Sequence, residues 1–561
     1  MPALIECVPN FSEGRNLDTI RRITERIESV DGASLLHTDP GKATNRTVVT
    51  FAGEPEAVVE AAFRAIAAAA ELIDMRHHHG EHPRMGATDV CPLVPISGIS
   101  MEETAEWARR LGERVGRELG IPVYLYEAAQ PDPARKSLAA IRAGEYEGLA
   151  ARITRPEWKP DFGPAKFNAR SGATVIGARG FLVAYNVNLN TTSTRRANAV
   201  AFDVREAGRP KREGHPLTGK IVTAPDGSPV SIPGELKAVK AIGWFIEEYG
   251  IAQVSMNLTD LGVTPIHEAF EAVVRSAERR GMRVTGSELV GLVPLDAMLE
   301  AGRHFLRKQQ RSLGVPDAEL IHIAVKSLGL DELAPFAPEE RIIEYRLRGT
   351  APGRLAGMSL VQFADATAAE TAAPGGGSTA ALLGALGAAL GTMVANLSAH
   401  KRGWDERWEE FSRWAERGQE LKRELVALVD ADTQAYERVM AAIGMPKGTA
   451  EEQAARRAAL ESANRGAIEV PWTVMRTAFD VFDLVEAMAE HGNPASASDA
   501  GVGALAARAA VRGAWLNVRT NVAGLKDRGP VAGILAEGER LEREAAEREE
   551  RILQIVERKF G

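Results

Sequence analysis

Along the first third of the chain, short apolar runs alternate with amphipathic stretches, the rhythm of strands and helices in turn. ALIECVPN reads as a strand, and FSEGRN as the turn-rich loop after it. Leu17, Ile20, Ile23 and Ile27 then recur at helical spacing, which puts them on one face. ASLLHT and RTVVTFAG are strands, and Pro55 opens a helix with Val58, Val59, Ala62, Ile66 and Ala69 along one side. DVCPLVPI and IPVYLYE flank the helical MEETAEWARRLGERVGREL. Together they make a sheet with helices on one face over residues 1–180.

Residues 181–330 repeat the scheme. In FLVAYNVNLN, Phe181, Val183, Tyr185, Val187 and Leu189 alternate with Asn186, Asn188 and Asn190. AQVSMNLTD sets Val254, Met256 and Leu258 opposite Ser255, Asn257 and Thr259. A row of amides is either a wet sheet face or, where two such subdomains pack together, a wall of the cleft between them. AVKAIGWFIEEYG and IHEAFEAVVRSAERRG read as helices, and residues 208–234 as an inserted loop. Pro and Gly then punctuate residues 331–358, which read as a linker. Beyond it Ala, Glu, Arg and Leu dominate, so residues 359–561 should be an all-α helical bundle. The fold class is thus an α+β N-terminal half followed by helices.

Within that half, PGGGSTAALLGALGAALGTMVANLSAH is long and uncharged enough to raise a membrane span. Its many Gly and Ala residues give little transfer energy, and they suit a buried helix with close neighbours better. RELVALVDADTQAYERVM places Asp430 and Asp432 in an otherwise apolar pattern. A carboxylate there is either turned to solvent or functional. The final charged stretch, Glu537 to Lys559, reads as a solvated amphipathic helix.

A length of 561 residues exceeds one core, and a net charge of −8 argues against a nucleic-acid binder. The two cysteines, Cys7 and Cys91, lie in apolar stretches and read as buried thiols in a reducing compartment. A nucleophilic Cys91, close to the histidines, is the alternative. No basic, apolar export signal opens the chain, so a cytoplasmic location is expected.

Four of the eleven histidines sit in RHHHGEHPRMGATD: His77, His78, His79 and His82. Gly80 and Pro83 make this a loop between a helix and a strand. It admits three readings. One is a plain solvated loop. Another is a metal site, disfavoured because His78 and His82 would converge only on an unbroken helix, and no HExxH or Cys pair is present. The third is a general base, for which His82, between Glu81 and Pro83 with Arg84 and Asp89 close by, is best suited. Asn45, Arg46 and Thr47, where a turn enters a strand, read as turn chemistry first and as site lining second. In PEWKPDFGPAKFNARSGATVIGARG, prolines prevent regular structure over the first half, and Phe162, Phe167, Lys166 and Arg170 offer aromatic faces and cations. That suits a flat heterocycle with an anionic tail, or a connector between domains.

The histidine loop, together with the N-terminal LIECVPNFSEGRN, closely resembles the formiminotransferase–cyclodeaminases, bifunctional folate enzymes of histidine breakdown, and the likeness runs through nearly the whole chain. It implies that His82 is the catalytic base of formimino transfer from N-formimino-L-glutamate to tetrahydrofolate. It places the folate-binding segment on Gly163, Pro164, Ala165, Lys166, Phe167, Asn168, Ala169, Arg170, Ser171 and Gly172. It puts the catalytic aspartate of ring closure, which releases ammonia, on Asp432. Lys401, Lys447, Asn493, Ser498 and Asp499 match positions typical of the same helical domain. The likeness implies polyglutamylated tetrahydrofolate as co-substrate, no tightly bound cofactor, no metal, and a homo-oligomer, a ring of dimers (an octamer). No membrane or nucleic-acid partner is expected. A transferase with a helical scaffold and a metal-dependent amidohydrolase are the alternatives.

Overall fold

The computed structural model describes residues 3–42, 44–80, 83–214, 219–348, 355–523, 525 and 528–560. The chain divides into two compact units, one of residues 1–301 with 324–350 and the other of 302–323 with 351–561.

The first unit opens with a seven-stranded sheet. Its strands are β1 (Leu4–Cys7), β2 (Asn10–Phe11), β3 (Ala33–Gly41), β4 (Arg46–Gly53), β5 (Thr88–Ser97), β6 (Val123–Glu127) and β7 (Thr174–Ala178). β1 and β2 both lie between β4 and β5, as two halves of one strand. Pro9, which has no N–H to donate to the ladder, falls at the break. β7 runs parallel between β5 and β6. Helices α1 (Leu17–Glu28), α2 (Pro55–Leu72) and α3 (Met101–Arg114) cover one face, with Ile23, Ile27, Val58, Ile66 and Leu111 in a common core. Ser100 and Glu103 close a capping box at the start of α3. Two short helices, α4 (Leu138–Arg142) and α5 (Glu145–Arg152), follow β6. They pack Ile141 and Leu149 with Tyr124, Tyr126 and Val175 in a separate small core.

The second sheet is fully antiparallel, in the order β9-β10-β8-β11. Its strands are β8 (Val183–Leu189), β9 (Val239–Ile246), β10 (Ile251–Leu258) and β11 (Val284–Val290), and α6 (Thr194–Val204) and α7 (Ile266–Glu278) accompany them. The expected helix over AVKAIGWFIEEYG is instead β9 and the turn after it. Val239 and Ala241 are buried while Lys240 and Ile242 are exposed, the alternation of a half-buried strand. Gly243 is needed there, because a Cβ would meet Asn198 N at 2.2 Å. The inserted loop at 208–234 pairs with itself in two short ribbons, 209–210 with 231–232 and 212–213 with 220–221.

The amide row is wet only at its ends, where Asn190 and Asn257 are exposed; its middle is buried. Asn188 and Gln253 are fully buried. Trp244 Nε1 donates to Gln253 Oε1 at 3.0 Å, Gln253 Nε2 to Asn188 Oδ1 at 2.8 Å, and Asn188 Nδ2 to Glu332 Oε2 at 2.6 Å. A polar chain satisfied in this way can be buried at little cost.

The segment read as a linker is folded over residues 338–348. There Ile342 bridges to Val293, and Ile343, 1% exposed, packs with Leu36 and Ala52 of the first unit. Residues 302–323, expected in the second α+β segment, belong to the helical unit. Gly314 lies against the Ala415 backbone, and its carbonyl accepts from Asn396 Nδ2 and Gln419 Nε2.

The helical unit contains α8 (Leu360–Ala368), α9 (Gly376–Ala399), α10 (Trp408–Gly444), α11 (Ala450–His491), α12 (Ala497–Ala523) and α13 (Ala532–Glu557). α9 is long and apolar enough to cross a membrane, yet it is packed among other helices. A Cβ on Gly387 would lie 2.9 Å from Gly503 O, and one on Gly391 2.7 Å from Leu484. The small residues are what let α12 and α11 approach α9. α13 is not simply solvated: Leu541, Ala545, Ile552 and Val556 enter the core.

Candidate active sites

In the first unit the two loops singled out from the sequence are stitched together. Met75 N donates to Arg170 O at 2.8 Å, Ala87 N to Ser171 O at 2.8 Å, and Ala173 N to Met85 O at 3.1 Å. Gly172, at φ +67°, faces Gly86, and a Cβ on it would lie 2.1 Å from Met85 O. Gly163, at φ +77°, closes the other end of the segment, where a Cβ would lie 2.4 Å from Ile121 O. Backbone geometry therefore requires both terminal glycines. Between them, Asn168 Oδ1 accepts from Arg170 N and Ser171 N, both at 3.1 Å. Pro164, Ala165, Lys166 and Ala169 are exposed, and Phe167 packs on Tyr146 with ring centroids 5.4 Å apart. The connector reading of this stretch gives way to a loop anchored at both ends.

Asn45 is the hub beneath the histidines. It holds a left-handed φ of +48°, a conformation that asparagine tolerates better than most residues. Its Oδ1 accepts from Gly14 N, its Nδ2 donates to His79 O, both at 3.0 Å, and its carbonyl accepts from His78 Nε2 at 2.8 Å. Arg84 Nε points at His78 Nδ1 from 3.3 Å. These partners assign the tautomer: Nε2 carries the proton and Nδ1 accepts. Burial holds the His78 imidazole below its ordinary pKa, with the nearby Arg84 charge adding to the effect. His78 is thus a neutral structural residue with both nitrogens committed. His77 and His79 are exposed. His82, with Glu81, lies outside the described residues.

Arg84, close to His82 in the sequence, is already matched. Its guanidinium contacts Glu145 at 3.1 Å and Glu147 at 2.9 and 2.6 Å. The α4–α5 segment that supplies these carboxylates also gives Tyr146 N to Arg84 O at 2.8 Å and Tyr146 Oη to Ala169 O. It straps the histidine loop to the 163–172 loop. A cavity of about 480 Å³ opens beside it, lined by His79, Gly80, Arg84, Gly144, Glu145 and Glu147. The sequence reading missed this strap; its one local signal is Gly144, at φ +84°.

Cys7 and Cys91 are buried free thiols with sulfurs 3.5 Å apart. Burial pushes the Cys7 thiol well above its ordinary pKa. Cys91, fully buried, offers no surface for nucleophilic attack. Among the described residues, no three His, Cys, Asp or Glu side chains are grouped to hold a metal.

In the helical unit, Asp430 and Asp432 separate cleanly. Asp430 Oδ1 accepts from Leu355 N at 2.6 Å and caps the turn at 355–357. Asp432 meets the start of α9 instead. Its Oδ2 accepts from Ser378 N at 2.9 Å and Ser378 Oγ at 3.3 Å. The half-buried carboxyl is raised above its ordinary pKa by burial, which outweighs the Ser378 hydrogen bonds. A Cβ on Gly377 would fall 2.1 Å from Asp432 Oδ1, so the glycine run is what admits the acid to the helix N-terminus. A cavity of about 450 Å³ also opens at the start of α9, lined in part by Thr371, Pro374, Gly375, Gly376 and Gly513 and not by Asp432. Asn517 flanks Gly376, its amide held by Gly513 O at 2.9 Å.

Family models match along the chain. The formiminotransferase domain's N-terminal subdomain covers residues 4–179, the formiminotransferase domain 184–348, and formiminotransferase-cyclodeaminase 359–540. The chain is 44% identical to the formimidoyltransferase-cyclodeaminase of Gallus gallus over 94% of each chain. The chain belongs to the formiminotransferase–cyclodeaminase family. Its first part is 44% identical to glutamate formimidoyltransferase of Thermoplasma acidophilum, over 54% of this chain and 93% of that protein. A methenyltetrahydrofolate cyclohydrolase of Methylorubrum extorquens is 41% identical over 36% of this chain and 96% of its own length.

The positions that the resemblance matched to the cyclodeaminase domain do not all gather at Asp432. α9 has 24 residues, a span of roughly 36 Å at about 1.5 Å per residue. Asp432 is at its N-terminus. Lys401, 4.1 Å over the Trp404 ring, and Asn493, whose N–H donates to Ser398 Oγ at 2.8 Å, are at its far end.

Proposed function

We propose that this chain carries out two consecutive folate reactions at two separate sites. In the first unit, N5 of tetrahydrofolate attacks the formimino carbon of N-formimino-L-glutamate. His82 takes the attacking nitrogen's proton and returns it to the departing nitrogen as the tetrahedral adduct expels glutamate, leaving 5-formiminotetrahydrofolate. The observation that carries this reading is the joining of the histidine loop to the 163–172 loop, which puts a base-bearing segment beside a loop suited to a pterin. The commitment of both His78 nitrogens supports His82 as the base. Gly163 to Gly172 hold the folate, with exposed Lys166 and Arg170 placed for an anionic polyglutamate tail.

In the helical unit, N10 closes on the same carbon, and ammonia leaves to give 5,10-methenyltetrahydrofolate. Asp432 mediates the proton transfers. A carboxyl whose pKa burial has raised holds a proton more readily than an exposed one and can hand it to a departing amine. Neither step as written calls for a metal or a tightly bound cofactor.

The protein acts as a homo-oligomer, a ring of dimers. Support comes from an apolar stripe on the antiparallel pair α9 and α12. Leu386, Met393 and Leu397 on one helix and Val502, Leu505 and Leu516 on the other are exposed. Such a stripe suits a second copy of the chain. The unbonded thiols of Cys7 and Cys91 support a reducing, cytoplasmic location.

The test mixes the purified protein with tetrahydrofolate and formiminoglutamate, and follows methenyltetrahydrofolate absorbance and ammonia together. Both are expected to rise in step. Accumulation of 5-formiminotetrahydrofolate would reduce the helical unit to a scaffold, and no consumption of formiminoglutamate would remove the transfer reading.

A further inference from the structure

Behind the histidine loop, one carboxylate is shared by two arginines. Asp89, at the start of β5, is fully buried. Its Oδ1 accepts from Met85 N at 3.0 Å and Arg142 Nε at 3.3 Å, and its Oδ2 from Arg46 Nη1 and Arg142 Nη2. Arg46 Nε is further held by Asn10 Oδ1 at 3.1 Å. The three side chains carry a surplus of one positive charge. The arginine side chains are 10% and 14% exposed. Arg46 Nη2 and Arg142 Nη1 have no hydrogen-bond partner among the described residues, and neither is a sealed buried atom. Burial and the facing Arg142 charge both hold the Arg46 guanidinium below its ordinary pKa, against the pull of Asp89. Two crowded cations that keep spare N–H donors and a partly exposed side chain suit the binding of a carboxylate.

The charge balance nearby narrows the ligand. Arg84, the other arginine of the loop, is matched by Glu145 and Glu147. Lys166 and Arg170 lie on the exposed outer loop. The Arg46–Arg142 pair is tied through Asp89 to Met85, between the histidine loop and β5, so it borders the segment proposed to carry the base. Formiminoglutamate brings two carboxylates to that reaction, and nothing assigns their partners. We infer that Arg46 and Arg142 form the subsite for one carboxylate of formiminoglutamate, with Asp89 fixing the spacing of the two guanidiniums. This rests on the proposed transfer reaction.

The experiment uses the full chain and three formimino donors: formiminoglutamate, N-formimino-4-aminobutyrate, which lacks the α-carboxylate, and N-formimino-2-aminobutyrate, which lacks the side-chain carboxylate. Wild-type turnover of formiminoglutamate comes first, since its absence would sink the transfer reading itself. In Arg142→Gln, KM for formiminoglutamate is expected to rise about 10- to 100-fold, as removal of a charged recognition contact does. KM for tetrahydrofolate stays unchanged. The variant's preference for formiminoglutamate over one of the two truncated donors should collapse, and that donor identifies which carboxylate is bound. Arg142→Lys keeps the charge beside Asp89 and so guards the fold. It loses the forked donor pair, and the same preference should shrink several-fold. Unchanged preference over both donors in the two variants would overturn the subsite and leave a purely structural triad. A rise in KM for tetrahydrofolate instead would overturn it in favour of the folate's own glutamate.

Discussion

The two proposed reaction centres are built on opposite plans. The transfer centre is an assembly of loops from distant parts of the chain, held by side chain-to-backbone bonds through Asn45, Arg84 and the α4–α5 strap. The ring-closing centre is a single carboxylate against the first turn of one helix, admitted by a missing Cβ. The first plan spreads its stability over many weak bonds; the second concentrates it in one steric condition. Damage should therefore show differently in each. A single substitution beside Asp432 should abolish one reaction and leave the fold intact, whereas a single substitution at Asn45 should cost both stability and activity.

The largest effect is expected from Gly377→Ala. The added methyl would sit on the Asp432 carboxylate, so cyclisation should fall about 100-fold or more, as a misplaced catalytic group does. Formimino transfer should stay within twofold, measured by glutamate release. Next is Asn45→Ala, which removes the bonds to Gly14 and His79 and places alanine at a φ of +48°. The loss is about 2–4 kcal/mol by urea denaturation, and transfer should fall with it while cyclisation of supplied 5-formiminotetrahydrofolate persists.

Glu6 gives the control for burial itself. It is 6% exposed, and its carboxyl is raised to about 7 by burial, countered by Arg179 and reinforced by Glu344. A raised carboxyl contributes stability that is full below the ordinary carboxyl range and is lost as pH rises through about 7. Glu6→Gln should therefore be more stable than the wild type above pH 7 by on the order of 2–4 kcal/mol, with no advantage at pH 4, read from melting curves across pH. Its cyclisation rate should not change, since burial alone does not make a reactive carboxylate. The smallest effect belongs to Asp430→Ala, which uncaps the turn at Leu355 and should cost about 1 kcal/mol with cyclisation unaltered.

How much of this was legible in the sequence follows from the same contrast. Local pattern located α1, α2, β1, β3, β4, β5 and β6, the helical character of the last third and the packing of α9 among helices, because each is written in residues a few positions apart; it did not find β2 or β7. It failed at β9, where AVKAIGWFI satisfies a helical and an alternating pattern at once, and only the close approach of α6 to Gly243 decides. It could not separate Asp430 from Asp432: residues two apart on a helix point roughly 200° from each other, so their neighbours differ completely. The strap was invisible because Arg84 meets Glu147 across 63 positions, beyond any local window. Within the stretch read as a linker, Pro338–Arg341 and Ile343–Arg348 are helical and Ile343 is buried, since proline and glycine mark chain punctuation and say nothing of whether Ile343 finds a core.

The central claim is that two separable sites act in sequence within one chain. Asp432→Asn, mixed with formiminoglutamate and tetrahydrofolate, tests it most directly. The expected result is stoichiometric 5-formiminotetrahydrofolate and glutamate, with ammonia release slowed about 1,000-fold, the scale of a lost general acid–base group. Ammonia release at the wild-type rate, or a parallel loss of glutamate release, would contradict it.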